Sequence, residues 1–274
     1  AAWLLGTAWR RAPLADAAPR PDLAALVLPR ERYALLIDRH ERPYVYEIQR
    51  ASGGAGVFVF GAEHTKDPKD PQLSRLESAW EAFRPTVLLV EGRLGILFPA
   101  FHEPVAMFGE TGFAAGLARR AGVRALSWEP SSDRLVESVL AQGFTSEQVG
   151  LRLILGPYFS NLRHGRPADP EAFVRDTLAE RARMAGVSGT FADVTRVDAA
   201  WVREFPGGPD WRDVSDQFGL PGFLGRMDMN RARDEHLVSL IAELAGRGER
   251  VFVVAGSSHA VVIEPALRSI LDGR

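Results

Sequence analysis

The chain has 274 residues, of which 46% are hydrophobic and 25% charged, and its formal net charge is −2. That is enough for one large α/β domain or two small ones with an ample core, and it gives no electrostatic case for binding nucleic acid or an anionic membrane. The absence of cysteine excludes disulfides, a thiolate nucleophile and a Cys-ligated metal, and no apolar run approaches the roughly 18 residues of a membrane span.

Residues 1–30 are rich in Ala and Pro and read as a lead-in. It is either the mature start of an exported, periplasmic protein or a poorly structured approach to a cytoplasmic domain. Residues 33–38 and 44–48 are strand-forming runs around the turn Arg39-His40-Glu41-Arg42-Pro43, which predicts a hairpin at a sheet edge. Ser52-Gly53-Gly54-Ala55-Gly56 precedes the next strand rather than following it, so it is not a phosphate-cradling loop. That strand, Val57-Phe58-Val59-Phe60, stops at Gly61-Ala62-Glu63-His64. A helix follows, with Leu73, Leu76, Trp80 and Phe83 on one face and Pro85 beyond its end. A second buried strand over 86–90 closes on Glu91-Gly92. A Phe-rich loop leads to a helix over 112–121, and a third strand over 124–128 closes on Glu129-Pro130.

This alternation predicts an α/β fold: a mainly parallel central sheet flanked by helices, with an edge hairpin. Residues 31–130 form the first part of that core and 226–274 the second. Between them, 131–225 reads as helical (135–140, 147–162, 170–185), followed by an aromatic, Gly- and Pro-rich segment over 201–223. No buried strand is visible there, so the region is expected to be a helical insertion capping the crevice. A helix starting near Arg226 carries the stripe Leu237, Leu240, Ile241 and Leu244 and stops at Gly246 and Gly248. It feeds Val251-Phe252-Val253-Val254-Ala255-Gly256-Ser257-Ser258-His259, an echo of the first histidine strand.

Open α/β sheets bind ligands at the carboxyl ends of their strands. The residues delivered there are His64, Glu91, Glu129 and His259. Imidazole is the commonest metal ligand and the usual general base near neutral pH, and a glycine at the strand end permits a sharp turn and a close approach. Glu91 ends an apolar strand, so its carboxylate needs a partner: a metal, a histidine or an arginine. Arg233 lies four residues before Leu237 and so lines up with the apolar stripe. An arginine placed there is expected to hold a carboxylate or a developing oxyanion. Asp234 beside it supports that group or the helix N-terminus, and Asn230 and Arg231 are weaker candidates. His164 is a candidate substrate contact in the insertion. Gly256-Ser257-Ser258-His259-Ala260 looks like a nucleophile elbow but has no acid and histidine downstream. His40-Glu41 and His102-Glu103 lack the second histidine of an HExxH zinc site.

In these residues the sequence resembles the TraB/TIKI superfamily, the group that also takes in erythromycin esterase-like proteins and ChaN-type haem-binding lipoproteins. The likeness rests on Gly61-Ala62-Glu63-His64, Glu91, Arg233-Asp234 and Gly256-Ser257-Ser258-His259, and it spans most of residues 57–271. It implies an α/β core with a helical insertion. It also implies either metal-dependent peptide hydrolysis or His/Glu-assisted attack of water on an ester. Carried onto this chain, His64, Glu91 and His259 become metal ligands or bases and Arg233 stabilises charge. Glu63, Glu129, Asp234 and His164 then attend the substrate, a peptide or a small-molecule ester. A mixed N/O ligand set without sulfur suits a divalent Mn, Zn or Co. The alternatives are a metal-independent esterase or a non-catalytic haem or small-ligand carrier, whose slot would come from the aromatics over 211–223.

Overall fold

The computed structural model describes residues 12–49, 53–92, 94, 104–162, 165–181, 184, 189–214 and 220–272. It divides into two compact units, Ala1–Pro130 with Arg233–Arg274, and Ser131–Ala232.

The first unit is built on five strands: β1 (Tyr44–Gln49), β2 (Gly56–Ala62), β3 (Val87–Val90), β4 (Arg124–Ser127) and β5 (Arg250–Gly256). They lie in the order β1-β2-β5-β3-β4. β1 pairs antiparallel with β2 at one edge, and every other pairing is parallel. Successive side chains of a strand point to opposite faces, and here both faces are apolar. Val57, Val59, Val87, Leu89, Val251 and Val253 belong to one core with Leu237, Leu240 and Ile241 of helix α10 (Met229–Gly246) and Ile263 and Leu267 of α11 (Ser257–Asp272). The alternate residues Phe60, Leu88, Val90, Phe252 and Val254 pack with Leu76, Trp80 and Phe83 of α3 (Pro71–Phe83) and with Ala114, Leu117 and Ala118 of α4 (Pro104–Ala121). A parallel sheet buried on both sides needs such unbroken apolar strands.

Helix α3 starts where the sequence dictates. Asp70 caps it by accepting from the Gln72 N–H, Pro71 opens it, and Arg84 closes it in the left-handed conformation. The register aligns Ala62 with Gly256 and Val90 with Val254 and Ser127. The carboxyl ends of β2, β5, β3 and β4 therefore share one rim.

Two expectations for the beginning of the chain change. Residues 33–38 are not a strand. After Pro29, whose backbone is extended, the chain turns into α2 (Arg30–Ala34) and then a run of turns. The antiparallel edge pair is β1–β2, with β2 itself in the place expected for 33–38. Leu35, Leu36 and Ile37 have strand-like composition but remain 63%, 36% and 41% exposed. The described part of the lead-in, in contrast, is packed. The Ser127 N–H donates to Pro13 O and the Ala15 N–H to Ser127 O, while Leu23 of α1 (Pro21–Ala24) and Val27 enter the core.

The second unit is helical among its described residues: α5 (Ser132–Leu140), α6 (Ser146–Asn161), α7 (Pro170–Arg181), α8 (Val194–Glu204) and α9 (Gly222–Arg226), with a 3₁₀ turn at Trp211–Asp213. Thr145 and Gln148 form a capping box that starts α6. Asp193 caps α8, which buries Val197, Ala200 and Trp201 at helical spacing. This helix falls partly in the stretch read from sequence as irregular. The unit has its own core around Leu151, Leu155, Tyr158, Phe159 and Trp211. Arg212 ties its surface by pairing with Asp198, Asp210 and Glu171. Trp211 and Phe223 belong to this core, and 215–219 lie outside the described residues. No helix among the described residues is long and apolar enough to cross a membrane.

Candidate functional site

The rim of the first unit gathers His64, Glu91, Glu129, Arg233, Asp234 and His259, and adds two residues that sequence reasoning passed over, Glu110 and Trp128. His64 is in the loop leaving β2. Glu91 and Glu129 follow β3 and β4, His259 sits in the first turn of α11, and Arg233 and Asp234 are on α10.

Arg233 is the hub. Its Nε donates to Glu129 Oε2 at 2.9 Å and its Nη2 to Glu129 Oε1 at 2.6 Å, a bidentate pair. Nη2 also donates to Glu91 Oε1 at 2.9 Å, and Nη1 lies 3.0 Å from His259 Nε2. The guanidinium carbon sits 5.0 Å from the centre of the fully buried Trp128 ring, which meets the His259 ring edge-on at 5.2 Å. Trp128 is itself fixed by its indole N–H, which donates to Val254 O. Glu129 is held from the other side by the Gly92 N–H at 3.0 Å. The arginine, expected to hold a carboxylate or a developing oxyanion, holds the carboxylates of Glu129 and Glu91 beside His259 and acts as a clamp.

Glu91 receives two hydrogen bonds, from Arg233 and from the Gly256 N–H, the latter at 2.7 Å on Oε2. Burial alone raises its pKa, but the facing charges of His259, Arg233 and His64 outweigh burial and hold it at about 2. Glu91 is therefore ionised at neutral pH. Arg233, between two carboxylates, is held above its already high value although burial opposes it.

The two histidines are built alike and placed differently. His259 Nδ1 is 2.5 Å from Asp234 Oδ1, and both side chains are buried. Burial disfavours the charged ring, Arg233 does so as well, and Asp234 and Glu91 prevail, so its pKa is raised. His259 Nε2 is 3.7 Å from Glu91 Oε1. A neutral ring with its hydrogen on Nδ1 accepts from Arg233 at Nε2. His64 Nδ1 is 2.7 Å from Glu110 Oε1, and Glu110 Oε2 accepts from the Thr65 N–H at 3.3 Å. The Glu110 side chain is only 4% exposed, whereas that of His64 is 51% exposed. The other end of the His64 ring lies over the β5–α11 turn. A side-chain carbon added at Gly256 would come within 3.1 Å of His64 Nε2 and 3.6 Å of Glu91 Oε2.

Of the other residues read from sequence, Asp234 is a buried partner of His259 and not a surface available to substrate. Glu63 is exposed, and its backbone is tied to Gln72 at both N–H and C=O. Arg231 belongs to the first turn of α10, where Asp228 accepts its N–H, and Asn230 precedes it. His164, like His102 and Glu103, lies outside the described residues. Glu110 left one trace in the sequence: it is the only acidic residue in an otherwise small and apolar stretch, 104–118.

His64, Glu91 and His259 do not fit a divalent metal as arranged. Both nitrogens of His259 face partners, Asp234 and Arg233, and both oxygens of Glu91 are engaged. A dication among them would also sit against the permanent charge of Arg233. Among the described residues no group of three or more His, Cys, Asp or Glu side chains is arranged to hold a metal ion. Comparison of the chain with protein-family models, with curated proteins and with solved structures finds no match.

Proposed function

We propose that the protein is a hydrolase of peptide or ester bonds in which His64 activates the attacking water as a general base. One observation carries this reading. A half-exposed histidine is oriented through Nδ1 by a buried carboxylate, and its Nε2 end is directed to the rim beside Glu91. That is the arrangement a base requires: a carboxylate fixes the ring and stabilises the imidazolium that forms. Glu91, ionised and facing His64, adds a second negative charge to favour that imidazolium. The first turn of α11, at Ser257 and Ser258, offers backbone N–H groups at a helix N-terminus next to Gly256. A developing oxyanion is best stabilised there. Arg233 keeps Glu91 and Glu129 in position and does not take part in proton transfer.

The resemblance of the Gly-x-x-His, Glu and Arg-Asp motifs to the TraB/TIKI superfamily implies hydrolysis of the same bonds. The geometry favours the branch in which histidine and glutamate act on water directly, because the residues do not fit a metal. The test is a screen of p-nitrophenyl esters and internally quenched peptides with the wild-type chain and His64→Ala. Turnover that disappears in the variant supports the reading. Turnover equal in both removes His64 as the base, and no turnover on either class favours a binding protein on the same rim.

A further inference from the structure

Glu110 is delivered to His64 by an unusual piece of backbone. Helix α4 is broken immediately before it, with Phe108 at φ −129°, ψ 16° and Gly109 at φ 60°, ψ −152°. The Gly109 conformation is one that a residue with a Cβ rarely adopts. Space gives the same answer, since a Cβ at Gly109 would lie 2.6 Å from Thr65 O. The kink therefore packs residue 109 against the Thr65 carbonyl while residue 110 takes the Thr65 N–H and the His64 ring.

We infer that Glu110 is a positioning residue that sets the tautomer of His64, keeping the hydrogen on Nδ1 and the lone pair on Nε2. The inference rests on the reading of His64 as the base, and it names what makes that base competent. An ionised carboxylate only accepts hydrogen bonds. Oε2 is taken by the Thr65 N–H, which can only donate, and Oε1 faces Nδ1 at 2.7 Å. The imidazole must therefore present Nδ1–H to Glu110, and a neutral ring then has its lone pair on Nε2, the end that lies over Gly256 beside Glu91. His259 also has a carboxylate on Nδ1, but its side chain is buried with Arg233 at Nε2, whereas that of His64 is half exposed. Asp234 consequently orients a clamp, and Glu110 orients the base.

Glu110→Gln separates this from a merely structural role. A glutamine offers one acceptor and one donor group where the site needs two acceptors. With its oxygen on the Thr65 N–H, its NH₂ faces Nδ1, and the ring must move its hydrogen to Nε2. With the oxygen on Nδ1, the NH₂ opposes the Thr65 N–H. The first arrangement satisfies every group, so the tautomer inverts.

The experiment is long-range ¹H–¹⁵N correlation of the histidine rings in the full-length chain, at a pH of about 9 where an imidazole of ordinary pKa is neutral. The His64 signals are identified by their loss in His64→Ala. The wild type is expected to show the Nδ1–H pattern at His64 and Glu110→Gln the Nε2–H pattern, with unchanged far-UV circular dichroism. Once a substrate is in hand, kcat should fall about 10²- to 10⁴-fold in Glu110→Gln, the range for losing a general base, with KM little changed. An Nε2–H pattern in the wild type overturns the inference whether or not Glu110→Gln folds, and an Nδ1–H pattern retained in folded Glu110→Gln overturns it as well. Because the tautomer is read without substrate, an Nδ1–H pattern retained in Glu110→Gln leaves His64 as the base with its tautomer set by another group, and absence of turnover leaves the tautomer result standing.

Discussion

Replacing Arg233 with methionine, which keeps much of the side-chain length and removes the charge, probes the centre of the site. In the folded protein the guanidinium faces Glu91 at 2.9 Å and Glu129 at 2.6 Å, with all three side chains less than one-fifth exposed. Without it, Glu129 loses its bidentate partner and Glu91 loses one of the charges that face it. Removing one partner of a buried ion pair costs about 3–5 kcal/mol, because the remaining charge is left uncompensated. A loss of about 4 kcal/mol lowers the melting temperature of a unit this size by roughly 8–16 °C. Glu91 loses one of the charges that hold its pKa down, so its folded pKa rises, the penalty is largest above that risen value, and it shrinks as the pH is lowered through it. The double variant Arg233→Met/Glu129→Gln removes one of the stranded charges and should recover about half of the loss. Thermal melting followed by circular dichroism at pH 7 and pH 5 reads all three quantities. A cost below about 1 kcal/mol, or a double variant no more stable than the single one, would refute the clamp.

Three more predictions follow from neighbouring geometry. Glu91, with its pKa held at about 2 against an ordinary 4.5, contributes stability that is complete above pH 4.5 and is lost as the pH falls toward 2, about 3 kcal/mol in all; urea midpoints measured across that window should fall in the wild type and hardly change in Glu91→Gln. Gly61→Ala places a carbon 2.5 Å from Ala260 Cβ and 2.7 Å from Tyr44 O. It wedges α11 off β2, costs about 1–3 kcal/mol, and is read by thermal melting. Gly256→Ala brings its new carbon to 3.1 Å from His64 Nε2. Because His64 is half exposed and can swing aside, stability should change by less than about 1 kcal/mol, while hydrolysis, once detected, should fall about tenfold as the base leaves its place; equal turnover would contradict the placement of Nε2.

How much of this was legible in the sequence depends on whether a residue's partner lies close along the chain. The strands at Val57-Phe58-Val59-Phe60 and Val251-Phe252-Val253-Val254 announce themselves by composition, and their pairing puts His64 and His259 on one rim. Glu91 and Glu129 were legible for the same reason, as charges ending apolar strands. Arg233 was legible as a cation on an apolar stripe, but its hydrogen bonds were not, since Glu91 and Glu129 lie more than a hundred residues away, just after β3 and β4, and His259 lies 26 residues on, in the first turn of α11. Glu110 was hidden because its function depends on a kink at Phe108-Gly109 that no periodicity encodes. The run 33–38 misled because apolar composition fits a strand, whereas pairing requires a neighbour, and β2 already occupies the place beside β1. The crowding of the metal ligand set was hidden in the same way: three ligand-type residues converge, but an arginine converges with them.

The measurement that bears most directly on the central claim is kcat/KM for the best ester or peptide substrate, taken in excess EDTA, for the wild type and His64→Ala side by side. The account predicts turnover that survives the chelator and falls by about 10²- to 10⁴-fold in the variant, the contribution of a positioned general base. Turnover abolished by EDTA and restored by a divalent metal, or turnover unchanged in folded His64→Ala, would contradict it.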